Sequence, residues 1–356
     1  MNAVYRRGAR SALLFLAAAS LLSLTACATV TPPPTGFEPP LPTRADAFPP
    51  HETLRAWAED PKYPRPRGPL GPIAETWIPL LERLKADGLD GDDLLRIFAK
   101  MGDTYSPKPM GAKITELFTY KYIRPPAPRA STTPPAYIGT QRVYPGFVTP
   151  GTIEVCRAYL DANELYFTVA EDLFSVPREV IVALLMVETK LGTFLGHDNA
   201  FWSLACMAAA DIPERIEEPL SVLPDVDEER LAWVSEKLQE RSAWAYKELK
   251  ALIKHIEAND LDPLEMPGSI YGAIGICQFM PSNLGPYGVD GDKDGKVDLF
   301  DPADAIPSVG NYLKGHGWKP TLARDERHAV IKRYNNSTVY ANTILALAEA
   351  ITGEAE

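Results

Sequence analysis

Eight consecutive apolar residues, Val180 to Val187, run straight into the carboxylate of Glu188. The run has no polar break, so an element built from it has no face to offer water. Ser175-Val176-Pro177 just ahead reads as a helix start, because Pro is tolerated in the first turn and the Ser hydroxyl can cap free amides. Gly192 can close the same helix. A helix apolar on every side is buried, so the chain must fold around it. Glu188 is then carried to a buried end, where lost hydration disfavours its charged form and raises its pKa. A carboxyl group still protonated near neutral pH can work as a general acid. Turned to solvent, or paired with Lys190, the same residue would be ordinary.

The surroundings of this helix are also helical in pattern. From Thr152 onward the apolar spacing follows a 3.6-residue period, with no run of alternating strands and no internal repeat. Two proline-rich stretches divide the chain. The first, between Cys27 and Pro72, opens on Pro32-Pro33-Pro34 and reads as a semi-rigid tether. The second runs from Pro125 to Pro150. Between them lie helical patches at Trp77 to Lys85 and Asp92 to Met101. The expected organisation is a signal segment over 1–26, a tether over 27–72, a small accessory region over 73–150 and an α-rich domain over 151–352.

The first residues read as an address. Arg6, Arg7 and Arg10 precede an apolar stretch from Ala12 to Leu24, too short for the roughly 20 residues that span a bilayer. The stretch closes on Leu24-Thr25-Ala26-Cys27, which resembles the bacterial lipobox, whose Cys is acylated and becomes the mature N-terminus. Anchoring by acyl chains at Cys27 is the expectation. By the same resemblance, Ala28 after the Cys implies export to the periplasmic face of the outer membrane.

Beyond Cys27 only Cys156, Cys206 and Cys277 remain, an odd number in apolar surroundings. A disulfide framework is excluded, although one bridge is open. The net charge of -11, more acidic still once residues 1–26 are set aside, repels phosphate backbones and argues against a nucleic-acid partner.

Some of that acidity is concentrated. Asp290, Asp292, Asp294 and Asp298 fall at positions 1, 3, 5 and 9 of a loop, with Gly295 at position 6 and the Lys296 carbonyl at 7, which is EF-hand spacing. Asp301 stands at position 12, where that pattern has Glu. Carboxylates so crowded call for a hard cation, and Ca2+ as a structural brace is the expected occupant. No organic cofactor is expected.

Four ordered blocks carry a family resemblance over roughly residues 150–350. They are Val187-Glu188-Thr189-Lys190-Leu191-Gly192; Gly268-Ser269-Ile270-Tyr271-Gly272-Ala273-Ile274-Gly275 with Gln278-Phe279-Met280-Pro281-Ser282; Asp301-Pro302-Ala303-Asp304 through Tyr312; and Tyr334-Asn335-Asn336-Ser337 with Tyr340-Ala341. Together they resemble the membrane-bound lytic murein transglycosylase B family. The resemblance implies a mainly α, lysozyme-like catalytic domain with an embedded calcium loop closing on Asp304. It implies cleavage of the bond from N-acetylmuramic acid to N-acetylglucosamine without water, with Glu188 as acid and then base, leaving a 1,6-anhydro end. It further implies that Ser269 meets the substrate acetamido group, that Gln278 and Asn335 bond sugar, and that Tyr312, Tyr334 and Tyr340 line the glycan groove. Independently of the family, tyrosines suit a saccharide, whose C–H faces pack on rings while its hydroxyls need hydrogen bonds. The competing readings are a lysozyme-like hydrolase with a second acid and a non-catalytic wall-binding lipoprotein. The chain departs from the family around Pro213-Glu214-Arg215, where fewer arginines are present than expected.

Overall fold

The computed structural model describes residues 72–123 and 136–353. The signal segment, Cys27 and nearly all of the tether lie outside these residues. The described chain is mostly helical and forms two compact units, one up to Thr104 and one from Tyr105.

The first unit holds α1 (Ile78–Ala86) and α2 (Asp92–Met101), close to the two helical patches read from sequence. Asp92 and Asp93 occupy the first turn of α2, where carboxylates favour the positive end of the helix dipole. Trp77 is fully buried, meets the edge of Phe98 at 5.6 Å between centroids and gives its indole N–H to the Gly102 carbonyl at 2.7 Å. That bond satisfies the one polar atom of an otherwise apolar side chain.

The second unit runs through α3 (Lys108–Tyr122), strands β1 (Ala136–Ile138) and β2 (Gln141–Val143), α4 (Pro150–Ala162), α5 (Glu164–Phe174) and α6 (Arg178–Thr189). It continues through β3 (Asp198–Asn199), α7 (Ala200–Ala208), α8 (Glu217–Ser221), α9 (Glu228–Asn259), β4 (Pro267–Gly268) and α10 (Leu284–Tyr287). It closes with α11 (Pro302–Gly315), α12 (Arg324–Tyr334) and α13 (Thr338–Thr352). This unit starts ahead of the expected boundary at 151, because α3 packs on α7 and α9 and β2 packs on α13. The hairpin inside the second proline-rich stretch was not anticipated. Its pairs are Ala136 with Val143 and Ile138 with Gln141, around a two-residue turn that Gly139 allows with φ at 57°.

At the centre lies α6. Every residue from Val180 to Val187 is buried, as the unbroken apolar run requires. At roughly 1.5–3 kcal/mol for each large aliphatic side chain removed from water, this helix contributes much of the core energy. It packs between α13 and α4, while α11 lies on α5 and α9 on α7. Its start differs from the sequence reading in one respect. Ser175 sits in the left-handed conformation and ends α5, so it does not cap α6. Glu171 takes that role: Oε1 accepts from the Arg178 amide at 2.9 Å while Oε2 pairs with the Arg178 guanidinium at 2.6 Å. Among the described residues, Cys156, Cys206 and Cys277 are free and buried, so no bridge joins any two of them.

Candidate active site

Glu188 is the penultimate residue of α6. The chain reverses immediately after it, with Lys190, Leu191 and Gly192 all at positive φ. Two of these are not glycine, and left-handed backbone costs such residues roughly 1–2 kcal/mol each. The reversal leaves part of Glu188 open to solvent while its carboxyl group is closely surrounded. Burial pushes its pKa from the usual 4.5 up to about 7, against the opposing pull of a hydrogen bond from Tyr340. The Tyr340 hydroxyl donates to Glu188 Oε1 at 2.6 Å. Tyr340 itself is 2% exposed, and its first-turn position on α13 follows from Ser337, whose hydroxyl caps the helix by accepting from the Tyr340 amide. The helix begins at Thr338, directly after this cap.

The glycine-rich block forms the loop beside this carboxylate. Strand β3 pairs with β4, Asp198 opposite Gly268, and this brings the segment after α6 against the loop. Gly196 must be glycine here: a Cβ would stand 2.0 Å from the Gly268 carbonyl oxygen. Gly275 is equally constrained, with φ at 76° and a would-be Cβ 2.5 Å from that of Leu299. Ser269 Oγ accepts from the amides of Tyr271 and Ala273, at 3.3 and 3.0 Å, so it shapes the turn. Gln278 holds a left-handed φ of 51° and donates through Nε2 to the carbonyls of Leu195 and Gly275. The first bond ties the loop to the segment after α6, and the second closes a turn within the loop itself.

The three tyrosines occupy different depths. Tyr334, partly buried, donates its hydroxyl to the Cys277 carbonyl, and its ring lies 5.9 Å from Phe279. Tyr312 is only 7% exposed, stacks on His316 at 4.0 Å and gives its hydroxyl to the Arg333 carbonyl. Its ring stands edge-on to Tyr334 at 4.8 Å, so it supports the layer above it. Asn335 is exposed at the C-terminal end of α12. Thus Glu188 and Tyr340 are in direct contact, Tyr334 joins the glycine-rich loop, and Tyr312 underlies Tyr334.

The acidic loop follows its spacing only in part. Carboxylate oxygens of Asp290, Asp292 and Asp294 lie within 4.8 Å of one another, a donor set that fits a hard cation. Asp298 is bound to its own turn, accepting from the Phe300 amide at 2.9 Å. Lys296 is exposed, with its amide on Asp294. Asp301 caps α11 through the Ala303 amide, and buried Asp304 closes the loop by accepting from the amides of Gly291 and Asp298 at 2.8 and 2.6 Å. A further anchor comes from far away. Asn259, the last residue of α9, accepts from the Val297 amide at 2.6 Å, a contact that no spacing in the sequence announces.

Residues 77–325 match the family model of the transglycosylase SLT domain. The chain belongs to that family. The fourth block, from Tyr334, lies beyond the matched stretch. Membrane-bound lytic murein transglycosylase B of Escherichia coli (strain K12) is 31% identical over 194 residues, which is 54% of this chain and 46% of the relative, so the chain spans about half that relative's length. Among solved structures, SltB3 from Pseudomonas aeruginosa in complex with NAG-anhNAM-pentapeptide superposes with a TM-score of 0.56 at 20% identity, covering 79% of this chain and 80% of that one. The Escherichia coli lytic transglycosylase Slt35 in complex with calcium gives 0.53 at 20% identity, covering 82% and 99%. At such identities the likeness is one of fold.

Proposed function

We propose that this family member is a peptidoglycan lytic transglycosylase, cleaving the bond between N-acetylmuramic acid and N-acetylglucosamine and closing a 1,6-anhydro ring on the product. The observation that carries the reading is the carboxyl group of Glu188, held near neutral pKa by burial and contacted by Tyr340 at 2.6 Å. Protonated, it gives its proton to the leaving oxygen as the glycosidic bond breaks. The substrate acetamido oxygen stabilises the developing positive charge at the anomeric carbon. The resulting carboxylate then takes the proton from the sugar's C6 hydroxyl as that oxygen forms the new bond, so no water enters and Glu188 returns to its acid form. The identity to the transglycosylase B relative supports this chemistry, as does the shared fold with a protein solved in complex with an anhydro-sugar peptide.

Ser269 at the turn, Gln278 between two carbonyls and exposed Asn335 are assigned to sugar contacts by their place in the family blocks. Tyr334 and Tyr340 are assigned to the groove itself, and Tyr312 to its floor. Asp290, Asp292 and Asp294 would hold Ca2+, with the Lys296 carbonyl and Asp298 completing the loop and Asp301 and Asp304 fixing its closing end. The ion would supply neutralising charge and brace the loop; the calcium complex of Slt35 supports that occupant. Acylation at Cys27 would anchor the protein to the outer membrane from the periplasmic side, in keeping with a membrane-bound relative. Cys27→Ser should release the chain from the membrane fraction.

Glu188→Gln tests the catalytic assignment. The amide keeps the shape of the side chain and removes the transferable proton, so turnover of isolated sacculi should fall by the 10²- to 10⁴-fold typical of acid–base groups. Retention of more than about a tenth of wild-type activity would remove Glu188 from the role.

A further inference from the structure

Thr189 follows the catalytic candidate directly, and no function so far described uses its side chain. It is 1% exposed. Its Oγ1 donates to the Ile276 carbonyl at 2.7 Å and accepts from the Gly192 amide at 2.9 Å. The first bond crosses 87 residues of sequence to reach the glycine-rich loop; the second closes the left-handed reversal after α6. One hydroxyl therefore ties together the end of the helix that carries Glu188, the strained turn that follows and the loop that holds Ser269 and Gln278. Ile276 extends the link, since its own amide donates to the Leu299 carbonyl at 2.8 Å, at the closing side of the acidic loop.

We propose that Thr189 is a positioning residue for Glu188, fixing the helix end against the glycine-rich loop so that the carboxyl group stays on Tyr340 and aimed at the substrate. The inference rests on Glu188 being the acid. The physical case is one of alternatives. Without the hydroxyl, the Ile276 carbonyl and the Gly192 amide lose a partner, and the positive-φ turn at Lys190 and Leu191 keeps its backbone bonds but loses the side-chain bond that ties it to the glycine-rich loop. The helix end can then rotate or fray, which moves Glu188 before it disturbs the core.

The test uses the full chain acting on purified glycan strands. Thr189→Val keeps the branched shape and removes the hydroxyl, while Thr189→Ser keeps the hydroxyl. Misplacement by about 1 Å of a reacting group can cost 10²-fold, so Thr189→Val should lose about 10- to 100-fold in kcat with KM within about twofold. The alkaline limb of its pH profile should also move to lower pH than wild type, because a helix end that frays lets water reach a carboxyl group whose pKa is raised chiefly by burial. Thr189→Ser should recover most of the rate and the wild-type pH profile. If Thr189→Val melts below the assay temperature, Thr189→Cys, a weaker donor, is compared with Thr189→Ser instead and should show the same pattern in reduced form. A folded variant lacking the hydroxyl with wild-type kcat, or with a lower kcat and an unmoved pH profile, overturns the inference. Glu188→Gln run beside it separates the two claims. If that variant is inactive while Thr189→Val is normal, only the positioning role fails; if Glu188→Gln is active, the acid assignment fails and takes the positioning role with it.

Discussion

The hydroxyl of Tyr340 donates to Oε1 of Glu188 at 2.6 Å, joining residues 152 apart in sequence at the end of α6 and the start of α13. This bond favours the ionised carboxylate, while burial favours the protonated form and outweighs it. Tyr340→Phe removes the smaller, opposing effect and leaves burial unopposed. The pKa of Glu188 should rise further above about 7, and the alkaline limb of kcat/KM should move to higher pH. The turnover rate should fall as well, since the ring no longer orients the acid. An alkaline limb identical to wild type would show that Tyr340 does not act on the ionisation of Glu188.

The same raised pKa has a consequence for stability. A carboxyl group titrating at about 7 when folded and near 4.5 when unfolded binds its proton more tightly in the folded chain. Its contribution is fully present below pH 4.5 and is lost as pH rises through about 7, a change of about 3 kcal/mol at most. Glu188→Gln cannot ionise and escapes that loss. Melting curves should therefore show the variant gaining stability over wild type at pH 8 and little or none at pH 4. An equal difference at both pH values would mean that Glu188 is not held protonated by its surroundings.

At the acidic loop, three carboxylates whose oxygens come within 4.8 Å of one another repel unless a cation stands between them. A ligand bound only by the native state stabilises it in proportion to the logarithm of its concentration over Kd. Wild type should melt higher in calcium than in chelator. Asp290→Ala combined with Asp292→Ala should melt at one temperature in both, and below wild type in calcium, because it lacks two of the three clustered carboxylates. A wild-type melting temperature indifferent to calcium would remove the ion from the loop.

The apolar run before Glu188 made the central helix legible, because a segment with no polar face has only the core to occupy. The spacing of Asp290, Asp292 and Asp294 announced their convergence for a similar local reason. What could not be read were bonds between distant segments. The cap of α6 belongs to Glu171 and leaves Ser175 to end the preceding helix, a choice decided by how two helices meet. Asn259 on Val297 and Thr189 on Ile276 span 38 and 87 residues with no motif linking them. Tyr312 was expected on the groove surface by its block, yet its depth is set by the cluster of Tyr287, His316 and Tyr334 that closes around it. The hairpin at 136–143 was hidden because flanking prolines obscured its short alternation.

The most direct measurement is the mass of the products released from isolated sacculi by the purified wild-type protein. If Glu188 acts as acid and then as base toward the sugar's own C6 hydroxyl, every new muramic acid end should be a 1,6-anhydro ring, lighter by one water than a hydrolysed end. The yield should collapse with Glu188→Gln. New ends carrying the mass of an added water would instead identify a hydrolase, and the absence of any product from the folded wild-type protein would contradict catalysis altogether.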